Sequence, residues 1–459
     1  MEHPDLPLPV DDLGLFADLY ELTMAQAYFD QGMAQPATFS LFIRNYPADR
    51  GYFVAAGLQD VLEYLANLSF SPSSVDYLRS LGSFSDEFLE FLSALRFTGS
   101  VRAIPEGRIF FADEPPLEVT APIIEAQLVE TFIVNQINLQ TLLATKASRC
   151  VWAAPGKTIS DFASRRTQGT DAALKMARCS YIGGFQSTSN VLAAKRYGIP
   201  PAGTMAHSFV SSFASELEAF RAYAQAFPGR SILLLDTHDT VNGAHTAAKV
   251  AKEMESEGHR LVGVRLDSGD FESLSRQVRR ILDESNLGYV RIVASGGLDE
   301  FELESLYRAD APIDMYGVGT KAGVSADAPW SDMAYKLVCY DGRGVMKLSV
   351  DKESKPGAKQ VFRFTGGNGK DGNGEFVEDV VGLQDENMEG SEPLLRQVMT
   401  DGRLSSPHPS LSQVREQFEK DFAKLDDKHK ALSDPPKYPV SFSQELDRMT
   451  TQVRKELSG

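Results

Sequence analysis

The chain has 459 residues, enough for two or three domains, and is 42% hydrophobic, 24% charged and 10% aromatic, as soluble globular proteins are. A net charge of −17 argues against nucleic acid or an anionic membrane as partner, since both demand basic surface, and requires that any anionic substrate meet a locally basic pocket. The N-terminus MEHPDLPLPVDDLGLF reads as no leader, no apolar run reaches spanning length, and Cys150, Cys179 and Cys339 are too scattered for a disulfide framework or a zinc site, which points to a reduced, cytoplasmic protein.

In chain order, Leu15, Leu19, Leu22, Ala25 and Phe29 fall on one face of a helix expected over 14–35. Residues 38–112 alternate strand-like runs (TFSLFI, GSVRAI, GRIFFA) with helical ones (LQDVLEYLANL, DEFLEFLSAL), an α+β pattern. Residues 124–147 read as one long buried helix. From 157 the texture changes. SILLLDTHD, LVGVRLDSGD, VRIVASGGLD and DMYGVGT are short apolar runs that each end in polar or Gly residues, with helical patterns between them. Their turn points Asp236, Asp267 and Gly296 lie 31 and 29 residues apart, the length of a βα unit. Such units in series mean a parallel sheet or a (β/α) barrel, whose ligands sit at the C-terminal strand ends. Strand-like segments return after 335, GGNGKDGNGEF (366–376) reads as an exposed hairpin tip, and two helical stretches close the chain. The expected fold class is α/β, with the parallel sheet or barrel over the repeat region and α+β patterns before and after it.

Period-two alternation puts Arg265 and Asp267 of VRLDSGD on the same side of a strand, with Asp270 on the same rim. They form either a structural ion pair or an anion clamp beside a Mg²⁺ or ribose-hydroxyl ligand. Gly296–Gly297 and Gly319–Thr320 follow consecutive strands, the usual place for a phosphate loop in a barrel. Arg165 and Arg166, in an acidic chain, are suited to an anionic ligand. LLLDTHDTVNGA superficially resembles the acidic-pair loop of the commoner phosphoribosyltransferases but splits the acids, so Asp236 is read as a strand-end carboxylate ligand. His207 sits among small residues in GTMAHS; it is either packed and inert or a nucleophile, for which an ordinary imidazole pKa of about 6.5 suffices. Lys321, after the strand-end Thr320, is the only tempting Schiff-base lysine, too little to carry an aldolase-like reading.

The motifs DLYELTMAQAYF, SRRTQGTDAAL, SYIGGFQSTSNVLAAKRYGIPPAGTMAHSFVSSF, GVRLDSGDF, VASGGLDE, YGVGTK and MKLSVDKESKPGAKQVFR resemble the nicotinate phosphoribosyltransferase family from about residue 12 to the C-terminus. The resemblance implies an irregular (β/α) barrel, expected over 126–335, with a second α+β domain built from both chain ends, 1–125 and 336–459. It also implies formation of nicotinate mononucleotide and diphosphate from nicotinate and 5-phosphoribosyl 1-diphosphate. That transfer would be coupled to ATP hydrolysis, with Mg²⁺ held by Asp236 and Asp267. His207 would be the phosphohistidine, with Arg265 and Asp267 beside it. Tyr20 and Phe162 would sandwich the pyridine ring, with Ser187, Thr204 and Arg265 around nicotinate. Arg165, Gly296, Gly297, Gly319 and Thr320 would hold the phosphoribosyl diphosphate. A homodimer is implied, with Tyr20 reaching the partner's site. A nicotinamide-using relative carries Asp where this chain has Ser187, which favours the acid over the amide. The alternatives are a nicotinamide phosphoribosyltransferase and a non-catalytic metabolite-binding homologue.

Overall fold

The computed structural model describes residues 9–349, 353–366 and 374–458. It divides into two compact units, Met1–Thr145 with Trp330–Gly459, and Lys146–Pro329.

In the first unit a seven-stranded antiparallel sheet runs in the order Arg343–Gly344, Met333–Tyr340, Pro36–Ile43, Leu117–Pro122, Ser100–Ala103, Arg396–Thr400 and Arg403–Leu404. Segments from both ends of the chain therefore share one sheet. Val101, Val119 and Tyr335 of its strands pack with Val61, Leu65, Phe88, Leu92 and Phe132 of neighbouring helices into the main core. A second sheet of four strands, with Lys359–Thr365 and Phe376–Leu383 antiparallel at its centre, closes over the buried Arg363–Asp379 pair at 2.6 Å. The hairpin tip expected between those two strands lies outside the described residues at 367–373.

Two expected helices are interrupted. Val10–Leu15 is a 3₁₀ turn, and the α-helix begins only at Leu19, because Asp18 takes the extended cap conformation. Leu15 is thus not on the helix, and Leu19 is 59% exposed. The buried run at 124–147 forms two helices, Ile123–Leu128 and Glu130–Ala153, broken at Val129.

The second unit holds six strands, all parallel, in the order Ser187–Thr188, Thr158–Asp161, Met315–Val318, Arg291–Ser295, Gly263–Leu266 and Ile232–Leu234. Thr188 also bridges Pro201, which extends the sheet by one residue at that edge. Buried Leu233, Val264, Ile292, Tyr316 and Ile159 form the apolar strand interiors. Each strand end turns into a helix: Thr170–Ile182, Val191–Tyr197, Thr240–Ser256, Phe271–Glu284, Glu300–Arg308 and Thr320–Gly323. Asp239, Asp270 and Asp299 cap three of them by accepting from backbone N–H groups. Asp270 is therefore a cap, which corrects the expectation of a second carboxylate on the Arg265 rim.

Candidate active site

The C-terminal strand ends of the parallel sheet bring most of the sequence-nominated residues together. Arg265, on Gly263–Leu266, donates from Nη1 to Thr204 Oγ1 at 2.5 Å, and its Nη2 lies 3.7 Å from Asp267 Oδ1. Its Nε is buried and has no protein partner. Burial pulls the guanidinium pKa down, and nearby Arg165 adds to that, while Asp267 and Asp236 oppose it. So Arg265 and Arg165 feel each other's charge, and Arg265 presents an unmet donor in a mostly desolvated setting. An anion placed there would relieve both conditions.

Asp267 is fixed from three sides. Ser295 donates to its Oδ1 at 2.5 Å, Arg265 stands beside the same oxygen, and His207 Nε2 lies 3.7 Å from Oδ2. His207 begins the short helix His207–Ser211, and its Nδ1 shares a 3.1 Å hydrogen bond with the Thr237 hydroxyl. Its side chain is 44% exposed. That is no packed core histidine. With Nδ1 engaged by Thr237, Nε2 is the ring nitrogen turned toward the acidic rim.

Asp236, just past Ile232–Leu234, accepts at Oδ2 from the Asp267 backbone N–H (3.1 Å) and from Ser268 Oγ (2.5 Å). Its Oδ1 is buried without a partner. Among the described residues no cluster of three or more His, Cys, Asp or Glu forms a protein-only metal cage. Mg²⁺ takes one or two carboxylate oxygens, keeps waters and completes its shell with phosphate. The unmet Asp236 Oδ1 is the donor such an ion would use.

The nominated loops follow. Gly296 has φ +98°, and a Cβ there would lie 2.0 Å from the Asp267 carbonyl oxygen, so the loop after Arg291–Ser295 lies directly across the Asp267 backbone. Gly297 at φ +71° faces open space. Gly319 precedes the exposed Thr320, which starts the helix Thr320–Gly323. Phe162 is half-buried; its N–H donates to Val318 O at 2.8 Å, and a Cβ at Gly317 would meet its ring at 2.5 Å. Only a glycine at 317 lets the ring lie against that backbone. Arg165 and Arg166 are exposed on the turn Ser164–Arg166. Ser187 shares a 2.7 Å hydroxyl–hydroxyl contact with Ser160. Tyr20 belongs to the first unit, where it is 46% exposed and its phenol is pushed up by burial and by Glu130 and Glu21.

Sequence reading missed the hydroxyls that hold these groups: Ser295 on Asp267, Ser268 on Asp236, Thr237 on His207 and Ser160 on Ser187. It also missed Asp161, fully buried at a strand end, which accepts from Thr188 Oγ1 (2.7 Å) and the Ala163 N–H (2.8 Å) and so fixes the turn that bears Phe162. Burial lifts its carboxyl pKa against those two donors. One signal was available: every one of these hydroxyls lies within three residues of a strand end.

Three family models describe nicotinate phosphoribosyltransferase, its N-terminal domain, its central region and its C-terminal domain, and they match residues 15–138, 158–359 and 386–450. The chain is 49% identical over 436 residues to a nicotinate phosphoribosyltransferase of Mycobacterium tuberculosis, covering 94% of this chain and 92% of the relative. It is 36% identical to that of Bacillus subtilis, with 95% and 94% coverage. The crystal structure of human nicotinic acid phosphoribosyltransferase superposes with a TM-score of 0.84 at 30% identity, over 95% of this chain and 99% of that one. The fold, the order of its strand-end motifs and these likenesses along nearly the whole length place the chain in the nicotinate phosphoribosyltransferase family.

Proposed function

We propose that the protein joins nicotinate to 5-phosphoribosyl 1-diphosphate, releasing diphosphate, and that ATP drives the reaction through a phosphate carried on His207. The observation that carries the ATP-coupled reading is the setting of His207: partly exposed, oriented through Nδ1 by Thr237, with Nε2 near Asp267. Nε2 attacks the terminal phosphorus of ATP as the bond to ADP breaks, and ADP leaves with the electron pair.

In the transfer itself the nicotinate ring nitrogen bonds to ribose C1 as the C1–oxygen bond breaks and diphosphate departs. Arg265, held by Thr204 and Asp267, receives the nicotinate carboxylate, and Phe162 supplies one aromatic wall. Ser187 offers a neutral hydroxyl where a carboxylate would repel the acid. Backbone N–H groups of Gly296, Gly297, Gly319 and Thr320, with Arg165, receive the phosphoribosyl diphosphate. Mg²⁺ at Asp236 and Asp267 would neutralise charge on the departing diphosphate. Tyr20 is proposed as the second aromatic wall, contributed across a homodimer, and the cytoplasm as the compartment. Among the described residues no helix is long and apolar enough to cross a membrane.

The test is product analysis with nicotinate, nicotinamide and quinolinate supplied side by side, paired with mass spectrometry after incubation with ATP. Nicotinate mononucleotide as the main product, with an acid-labile phosphate on His207, supports the proposal. A preference for nicotinamide refutes the substrate assignment. An unmodified His207 with undiminished ATP stimulation refutes the phosphohistidine.

A further inference from the structure

Two loops are proposed above to take the phosphoribosyl diphosphate, and each one opens directly into a helix. Gly296 and Gly297 lead to Glu300–Arg308; Gly319 leads to Thr320–Gly323. Backbone N–H donors in separate loops serve one ligand only if the loops keep their spacing, to about 0.5 Å for productive geometry. What sets that spacing is visible in the charges at the two helix starts.

Glu300, fully buried, is gripped by Lys146 and by Arg149, whose Nε donates to Glu300 Oε1 at 3.0 Å. Lys146 also reaches Asp327 at 2.6 Å. The helix start is thereby anchored to the long helix Glu130–Ala153. One residue earlier, Asp299 accepts from the N–H groups of Phe301 and Glu302, and Glu302 returns a bond to the Asp299 N–H. The link to the other loop is Lys321. Its Nζ lies 2.9 Å from Asp299 Oδ2 and 2.8 Å from Glu302 Oε1. A single ammonium thus joins the residue after Thr320 to the cap and first turn of the neighbouring helix.

We infer that Lys321 is a positioning residue for phosphoribosyl diphosphate: by holding Asp299 and Glu302 it fixes the spacing of the two phosphate loops before the ligand arrives. The inference deepens the transferase reading and rests on it. The tie stays charged throughout the neutral range. Burial pulls the Lys321 pKa down, but Glu302 and Asp299 more than offset it and raise it overall. Asp299, pushed up by burial, is held down to about 2 by its bonds to Glu302 and Lys321. A Schiff-base lysine needs a free, neutral amine, whereas Lys321 Nζ is engaged by two carboxylates, which speaks against the aldolase-like reading.

Lys321→Met removes the charge and keeps the aliphatic stem, Lys321→Arg keeps the charge, and Glu302→Gln removes one anchor while preserving the helix cap, since Gln serves at that position too. Each variant is compared with the parent by steady-state kinetics, by equilibrium binding of 5-phosphoribosyl 1-diphosphate and by thermal melting. Lys321→Met is expected to raise both KM and Kd for phosphoribosyl diphosphate about tenfold, with KM for nicotinate and kcat within about twofold, because only preorganisation for one ligand is lost. Lys321→Arg should recover most of that affinity. Glu302→Gln should move the same parameters in the same direction, and the double variant should fall short of additivity.

Unchanged phosphoribosyl diphosphate binding in Lys321→Met and Glu302→Gln overturns the inference. So does tighter binding in Glu302→Gln, which would make the ammonium a direct phosphate ligand restrained by its carboxylates. A parallel fall of every parameter with melting temperature would reduce Lys321 to a structural ion pair. Turnover by the parent reports on the transferase reading, and the variant-to-parent binding ratio reports on the tie, so the two fail separately.

Discussion

Arg265→Lys is the substitution that asks most of the proposed site. The guanidinium places Nη1 on Thr204 at 2.5 Å and Nη2 3.7 Å from Asp267, and leaves Nε buried with no protein partner. Lysine has one nitrogen. It can keep Thr204 or stay near Asp267, but it cannot also present the planar edge that would receive a carboxylate. A charge-assisted hydrogen bond is worth about 1.5–3 kcal/mol, so losing one to the substrate lowers kcat/KM for nicotinate about 10- to 100-fold. The fold loses less. The Thr204 bond is charge-assisted too, but lysine can keep it, so the net loss should stay at about 1 kcal/mol, which shifts Tm by about 2–4 °C. The assay is steady-state kinetics with nicotinate varied at saturating phosphoribosyl diphosphate, with a melting curve on the same preparation. Near-parental kinetics, or a stability loss large enough to account for all the lost activity, would refute the reasoning and return the anion clamp to Arg165 or Arg166.

Gly296→Ala puts a Cβ 2.0 Å from the Asp267 carbonyl at φ +98°, and should cost about 3 kcal/mol or more in denaturant titration, whereas Gly297→Ala, in open space at φ +71°, should cost only about 1 kcal/mol; equal losses would show that the loop does not lie across Asp267. Ser187→Asp sets a carboxylate against the proposed nicotinate carboxylate, at about 1 kcal/mol in water and about 4 kcal/mol in a partly shielded site for charges about 4 Å apart, and an unchanged preference for nicotinate over nicotinamide would place discrimination elsewhere. Glu21 is fully buried, with Oε1 bonded to Thr131 and Oε2 unpartnered, and burial lifts its carboxyl from 4.5 to about 7. An acid raised in this way stabilises the fold fully below its unfolded pKa, and that stability drains away as pH rises toward 7, by up to about 3 kcal/mol. Glu21→Gln should therefore gain stability relative to the parent between pH 4.5 and 7.5, and a flat difference across that range would show that Glu21 is ionised in the fold.

The parallel unit was legible because its repeat is written twice, in apolar runs of strand length and in an acid or glycine closing each. Asp236, Asp267 and Gly296 mark the turns, and the structure puts all three at strand ends. Periodicity cannot say which acid does what. Asp267 faces the rim and Asp270 caps a helix, although both stand in the same DSGD motif, because the choice rests on where the chain turns after Gly269. Ser187–Thr188 went unread as a strand since two residues carry no alternation. The long helix was expected unbroken because Val129, where it divides, is as apolar as its neighbours; the break lies in backbone angles that residue type does not encode.

The overlooked hydroxyls bear on how so acidic a chain could receive the three anionic substrates proposed for it. Had Asp236, Asp267 and Asp161 been fixed by lysine or arginine, each tie would have spent a cation inside the protein. Instead Ser268 and Thr188 hold Asp236 and Asp161, and at Asp267 the close 2.5 Å bond comes from Ser295 while Arg265 stands off at 3.7 Å; likewise Thr204 orients Arg265 and Thr237 orients His207. A hydroxyl donates a charge-assisted hydrogen bond to a carboxylate, stronger than one to a neutral acceptor, and adds no charge of its own. The strand-end cations are thereby left with capacity: Arg265 keeps an unmet donor and Arg165 stays exposed. At the helix starts the opposite rule applies. There Lys146, Arg149 and Lys321 are consumed by Glu300, Asp299 and Glu302. Ion pairs serve where rigidity alone is needed, and neutral donors serve where charge must remain available to a ligand.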